Sequence, residues 1–169
     1  MKRIIVSATL LAACALGAGA DAGDVKVASL KAADVRVVDV KAFAYLERAG
    51  HLSDNLVGGQ SLVDAPRGGS LGGDTATALL VDVVFQGDRN SSPKDASATV
   101  DLTQTTRTGA RVITHRTFDQ FAFGDDGFAH KAVFLEGATC MPLTVDVHAG
   151  RSVKSARVEF QCEVVPAPK

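Results

Sequence analysis

The sequence predicts an all-β protein, an antiparallel two-sheet β-sandwich of about seven strands, and three observations carry that expectation. Apolar side chains recur at every second position in successive short runs, helical periodicity is nearly absent, and Gly-, Asp- and Ser-rich turns separate the runs. The organisation expected is 1–20 signal peptide, 21–33 N-terminal tether, 34–165 sandwich domain and 166–169 flexible tail.

The leader opens with Met1-Lys2-Arg3, continues through an apolar run from Ile4 to Leu16 broken by Ser7 and Thr9, and ends in Gly17-Ala18-Gly19-Ala20. This is the order of a secretory signal peptide, and the run is too short for a permanent transmembrane helix. Cleavage after Ala20 leaves Asp21 first and makes the protein periplasmic or secreted. Leu11-Ala12-Ala13-Cys14 also fits a lipoprotein box, so acylation at Cys14 and anchoring to the envelope is the alternative. Asp24-Val25-Lys26-Val27, Asp34-Val35-Arg36-Val37 and Asp39-Val40-Lys41-Ala42 echo one another but are too brief and too close to be structural repeats.

The first strand is expected over 35–46, rich in Val and carrying Phe43 and Leu46. A long irregular segment follows from Glu47 to Asp74, holding Gly50, Gly58, Gly59, Gly68, Gly69, Gly72 and Gly73; helix there is limited to a turn or two within Leu46–Leu56, with Ser53 or Asp54 as N-cap. Residues 75–86 form a second strand, with Thr77, Leu79, Val81, Val83 and Phe85 in period two, and 87–96 a polar connection. Ala98, Val100 and Leu102 alternate with Thr99, Asp101 and Thr103 before a turn at Thr108-Gly109. Strands over 110–123 and 128–135 are joined by Gly124-Asp125-Asp126-Gly127, a turn composition suited to positive φ. Phe118, Phe121, Phe123 and Phe128 crowd around that turn and read as core or rim packing.

The last hairpin alternates Leu143, Val145 and Val147 with Thr144, Asp146 and His148, then Ala156, Val158 and Phe160 with Arg157, Glu159 and Gln161. Folding it about Arg151 brings Cys140 opposite Cys162, within reach of a disulfide in an oxidising compartment, on condition that a bulge at Met141-Pro142 corrects the register. Closing that loop is worth about 3 kcal/mol on the chain-entropy estimate.

The strand pattern from about residue 34 to 165 resembles the immunoglobulin and fibronectin type III superfold. It departs from a true immunoglobulin domain in having no Trp and in placing its cysteines on adjacent strands. The resemblance implies an outline and no activity.

Charge excludes some partners. Removing Lys2 and Arg3 from 18 basic residues leaves 16 against 19 acids, so the mature chain is mildly acidic and has no basic stripe for nucleic acid or anionic lipid. Contact with a membrane is expected only through an acylated Cys14.

Motifs for catalysis are weak. Gly68-x-Ser70-x-Gly72 has nucleophile-elbow spacing without the strand-to-helix context, Pro93 interrupts Ser91-x-x-Lys94, and Asn90-Ser91-Ser92 is a glycosylation sequon only by letter. Asp125-Asp126 is explained by turn chemistry, and Arg107 and Arg111 flank an exposed tip. The reading is therefore a non-catalytic exported envelope module, without cofactor or metal, that binds another envelope protein or surface component. Its binding loop is placed in 47–74, with His51, Asp54, Asn55 and Arg67 as candidates, or along a sheet edge. The alternative is a small periplasmic metal-binding protein or enzyme using His115, His130 and His148, with Asp146 as a further candidate; His115 and His130 are expected to approach across a hairpin centred near residue 123.

Overall fold

A computed structural model describes residues 35–161 except 66, 67, 107, 108 and 138–140. Among the described residues there is no helix; the strands are β1 (Arg36–Leu46), β2 (His51–Leu52), β3 (Leu62–Ala65), β4 (Gly68–Leu71), β5 (Asp74–Gln86), β6 (Ala98–Thr106), β7 (Gly109–Phe118), β8 (Phe128–Glu136), β9 (Leu143–Ala149), β10 (Ser152–Val158) and β11 (Phe160–Gln161). One sheet is ordered β11-β3-β4-β5-β1-β2, with β8 also paired to β5, and the other β10-β9-β6-β7. Pairing is antiparallel except between β11 and β3. The all-β fold is consistent with a β-sandwich.

The period-two pattern becomes one shared core. Leu79, Val81, Val83 and Phe85 of β5, with Val40, Ala42 and Ala44 of β1, are buried in the same cluster as Val100 and Leu102 of β6 and Leu143, Val145 and Val147 of β9. Each fully buried Val, Leu or Phe contributes about 1.5–3 kcal/mol of transfer free energy, before conformational entropy is set against it.

Four expectations are corrected. The 47–74 segment is not one open loop. It contains β2, β3 and β4, and the place suggested for helical turns is a tight turn whose Arg48 and Ala49 amides donate to the Asp74 carboxylate at 3.0 and 2.9 Å. Gly72 and Gly73, with φ of 60° and 81°, supply the left-handed pair a two-residue hairpin requires between β4 and β5.

The strand expected over 110–123 stops at Phe118, because burying Phe121 and Phe123 outweighs continued pairing. Phe121 meets Phe85 edge-on at 5.1 Å between centroids and stacks with Phe123 at 5.9 Å. Phe128, by contrast, stays exposed.

The third correction concerns histidines: β7 and β8 belong to different sheets, so the chain from Phe118 to Phe128 crosses between sheets and His115 and His130 do not meet across a hairpin. The fourth concerns the end of the domain. The β9–β10 ladder ends at Leu143 and Val158, after which Phe160 and Gln161 pair with Leu62 and Val63 of the other sheet. Burial of Phe160 accounts for the switch. From sequence, Cys140 is expected opposite Cys162 on a continuation of that ladder. Those cysteines, Cys14, Arg67 and the leader all lie outside the described residues.

Edges are closed unequally. On the free side of β1, Ser152 Oγ, Asn55 Oδ1 and Ser53 Oγ accept the amides of Val37, Ala42 and Ala44 at 3.1, 3.0 and 2.9 Å, and Lys154 Nζ donates to the Val38 carbonyl at 2.6 Å. Side chains thus stand where a further strand would pair. On the other side of the molecule β8 is guarded differently. Lys131 takes an inward position of β8, opposite Val83, and an inward charge opposes addition of another strand.

Candidate functional site

Two outer sheet faces carry the side chains that could do chemistry or binding. On the four-stranded sheet, register places His115 of β7, Asp101 of β6, Asp146 of β9 and Ser155 of β10 in one row across the strands. His115 Nδ1 lies 2.6 Å from Asp101 Oδ1, His115 Nε2 lies 3.3 Å from Thr117 Oγ1, and Ser155 Oγ donates to Asp146 Oδ1 at 2.7 Å. Ser155 is thereby held by a carboxylate and not by the imidazole, which is not the order a nucleophile and its base need. His148 stands one row away, opposite Thr99 and Val153.

His130 is on the other outer face, with Nδ1 3.1 and 3.0 Å from the two Asp82 oxygens. The structure thus brings His115 beside Asp101, places Asp146 and His148 on the same sheet face two strands from His115, and separates His130 from all of them. Among the described residues no group of three or more His, Cys, Asp or Glu is placed to hold a metal ion.

The loop candidates divide. His51 and Asp54 are exposed, with His51 Nδ1 2.8 Å from the Leu52 carbonyl oxygen. Asn55 serves the backbone, its Oδ1 accepting the Ala42 and Val57 amides at 3.0 and 3.1 Å. In the fold it caps the free edge of β1. Ser70 of the Gly-x-Ser-x-Gly spacing sits in a hairpin strand between Val63 and Thr75, without the strand-to-helix elbow.

The seven-stranded sheet presents a different surface. Phe43 of β1, Leu80 of β5 and Phe134 of β8 are directly registered on its outer face, and the next row holds Tyr45, Ala78 and Glu136, with Leu52 of β2 opposite Tyr45. Phe134 is 62% exposed, Tyr45 42% and Leu52 41%. Single exposed apolar residues are ordinary, whereas these side chains adjoin one another across four strands. Below it Lys41, Asp82 and Ala132 form a more polar row.

This surface was missed from sequence, though a signal was present. In Ala42-Phe43-Ala44-Tyr45 and Leu79-Leu80-Val81, both phases of the alternation are apolar, which a sheet covered on one face only does not require. No protein-family model matches the chain, and no curated protein matches it either.

Proposed function

We propose that the chain is an exported, non-catalytic binding module of immunoglobulin or fibronectin type III-like architecture, which holds an envelope protein against the outer face of its seven-stranded sheet. The observation that carries this reading is the apolar set on that face, in which Phe134, Tyr45 and Leu52 are exposed and Phe43 and Leu80 are half-buried between them. Support for the architecture comes from the long strands: β1, β5 and β8 lie together in one sheet, and β10, β9, β6 and β7 in the other. This three-and-four division is the one fibronectin type III modules use, and fold analogy of this kind bears on outline more than on activity.

Export rests on the leader, with Cys140 and Cys162 bridged and either Asp21 or an acylated Cys14 at the mature N-terminus. Intact mass before and after reduction tests all three points: a gain of about 2 Da on reduction is expected of the bridge. The alternative use of His115, His130 and His148 as one centre has less behind it, since β7 and β9 display two of them on one face and β8 the third on the other.

The binding reading is tested by a photo-crosslinking residue introduced in the producing cell at position 134 or at position 157, which lies on β10. Discrete adducts at 134 and none at 157 are expected. The reverse pattern, or adducts at neither, overturns the choice of face.

A further inference from the structure

The fold sets one cation, Lys131, in an unusual place. Lys131 occupies an inward position of β8 at the open side of the two sheets, where its neighbours Ala129, Val133 and Leu135 are buried. Its Nζ lies 5.3 Å from the centroid of the Phe121 ring and 5.8 Å from that of Phe118. Aromatic faces attract the charge but satisfy none of the three ammonium donors as a carboxylate oxygen does. Among the described residues Lys131 makes no ion pair, and neither does Lys94.

Both lysines line one open cavity of about 680 Å3, together with Ser92, Pro93, Asp119 and Phe121. That volume falls in the range of small-ligand sites. Two connections form its walls and are hydrogen-bonded to one another: the Asn90 amide donates to the Gly124 carbonyl at 2.9 Å, and the Phe123 amide to the Ser91 carbonyl at 2.9 Å. The stacked Phe121 and Phe123 rings, with Phe85 edge-on to Phe121, anchor the same walls from beneath. A site built this way is formed before a ligand arrives, which lowers the ordering cost of binding.

Charge selects the ligand. Two lysines and Asp119 leave the lining with one net positive charge, which a monoanion neutralises. Pro93, Ala122 and the Phe121 ring give an apolar lining beside the cations. We infer that this cavity is a binding site for a single carboxylate borne on a small apolar body, with the Lys131 and Lys94 ammonium groups as its charge partners. Two sources offer that chemistry, a free organic acid and the C-terminus of an extended chain. The second is relevant because β7, an edge strand of its sheet, ends at Phe118, immediately before the lining residues Asp119 and Gln120. The role of Lys131 as an edge guard requires only its charge and predicts no preference between an acid and its amide.

Titration of the full mature chain, followed by backbone amide shifts in NMR, tests the assignment. The probes are benzoate against benzamide, and N-acetyl-Gly-Phe with a free terminal carboxylate against the same peptide amidated. Saturable shifts around Gln120, Ala122 and Lys131 are expected for at least one acid, with Kd of about 10 mM or tighter. The neutral partners should bind at least about tenfold more weakly. Lys131→Met, which keeps the aliphatic stem, should weaken the acid by about tenfold with an unchanged melting temperature; Lys94→Met should weaken it too, and Lys131→Arg should retain it. Preference for benzoate identifies a free acid as the source, and preference for the peptide acid identifies a chain terminus. Equal binding of acids and amides, absence of saturable shifts, or undiminished binding in a folded Lys131→Met, Lys94→Met double variant overturns the site.

Discussion

Asp74 shows how one carboxylate organises a turn that composition alone suggested was loose. The Arg48 backbone amide is the main reason its carboxyl titrates below the usual carboxylate value, aided by the Ala49 and Thr75 amides and the Arg48 charge and opposed by burial. A folded-state value below the unfolded one stabilises the fold above the unfolded value, and this contribution disappears as pH falls through the folded one. The stability difference between wild type and Asp74→Asn should therefore be present at pH 6 and shrink below about pH 4, as denaturant unfolding at several pH values will show. A second residue, Gly87, is fixed by packing. A Cβ there would lie 2.6 Å from the Phe123 ring, so Gly87→Ala should cost about 1–3 kcal/mol in urea unfolding through overpacking. Gly87 was legible as a loop glycine, but nothing local announces the ring that requires it, because Phe123 arrives from 36 residues further along the chain.

At the scale of elements, alternation and turn chemistry located the long strands well. The strands expected at 35–46, 75–86 and 128–135 are observed at Arg36–Leu46, Asp74–Gln86 and Phe128–Glu136. Periodicity reports which side chains share a face, so it succeeds where one strand has one buried face. It failed where pairing is short or borrowed from side chains. Ser53 and Asn55 looked like cap or loop residues, and in the fold they occupy the free edge of β1. Asn55→Ala should cost about 1–3 kcal/mol by leaving the part-buried Ala42 amide without its acceptor, and hydrogen exchange at Ala42 should accelerate more than exchange at Val81 in the strand interior. Sequence likewise offered no register for Asp101 against His115, since both lie on exposed strand faces where a shifted pairing changes little apolar burial.

For the whole molecule, both sheets contribute to a single buried cluster, and Phe85 is its largest fully buried side chain. Phe85→Ala should therefore destabilise by about 3–5 kcal/mol, a large fraction of a typical domain's stability. Unfolding should remain one transition, with probes on β5 and on β9 moving together. Separate transitions for the two sheets would contradict a shared core.

By itself the sequence determined the all-β character, the places of the long strands and the inward set of Val, Leu and Phe, because these follow from the two-residue period of an extended chain and from turn residues acting over a few positions. Tertiary structure alone decided that β7 and β8 part into different sheets, that β11 leaves its hairpin for β3, and that Lys131 stands with Lys94 at a cavity while Phe43, Leu80 and Phe134 align on an outer face. Those outcomes depend on how segments far apart in the chain bury each other's apolar surface, a free energy that exists only once the sheets have met.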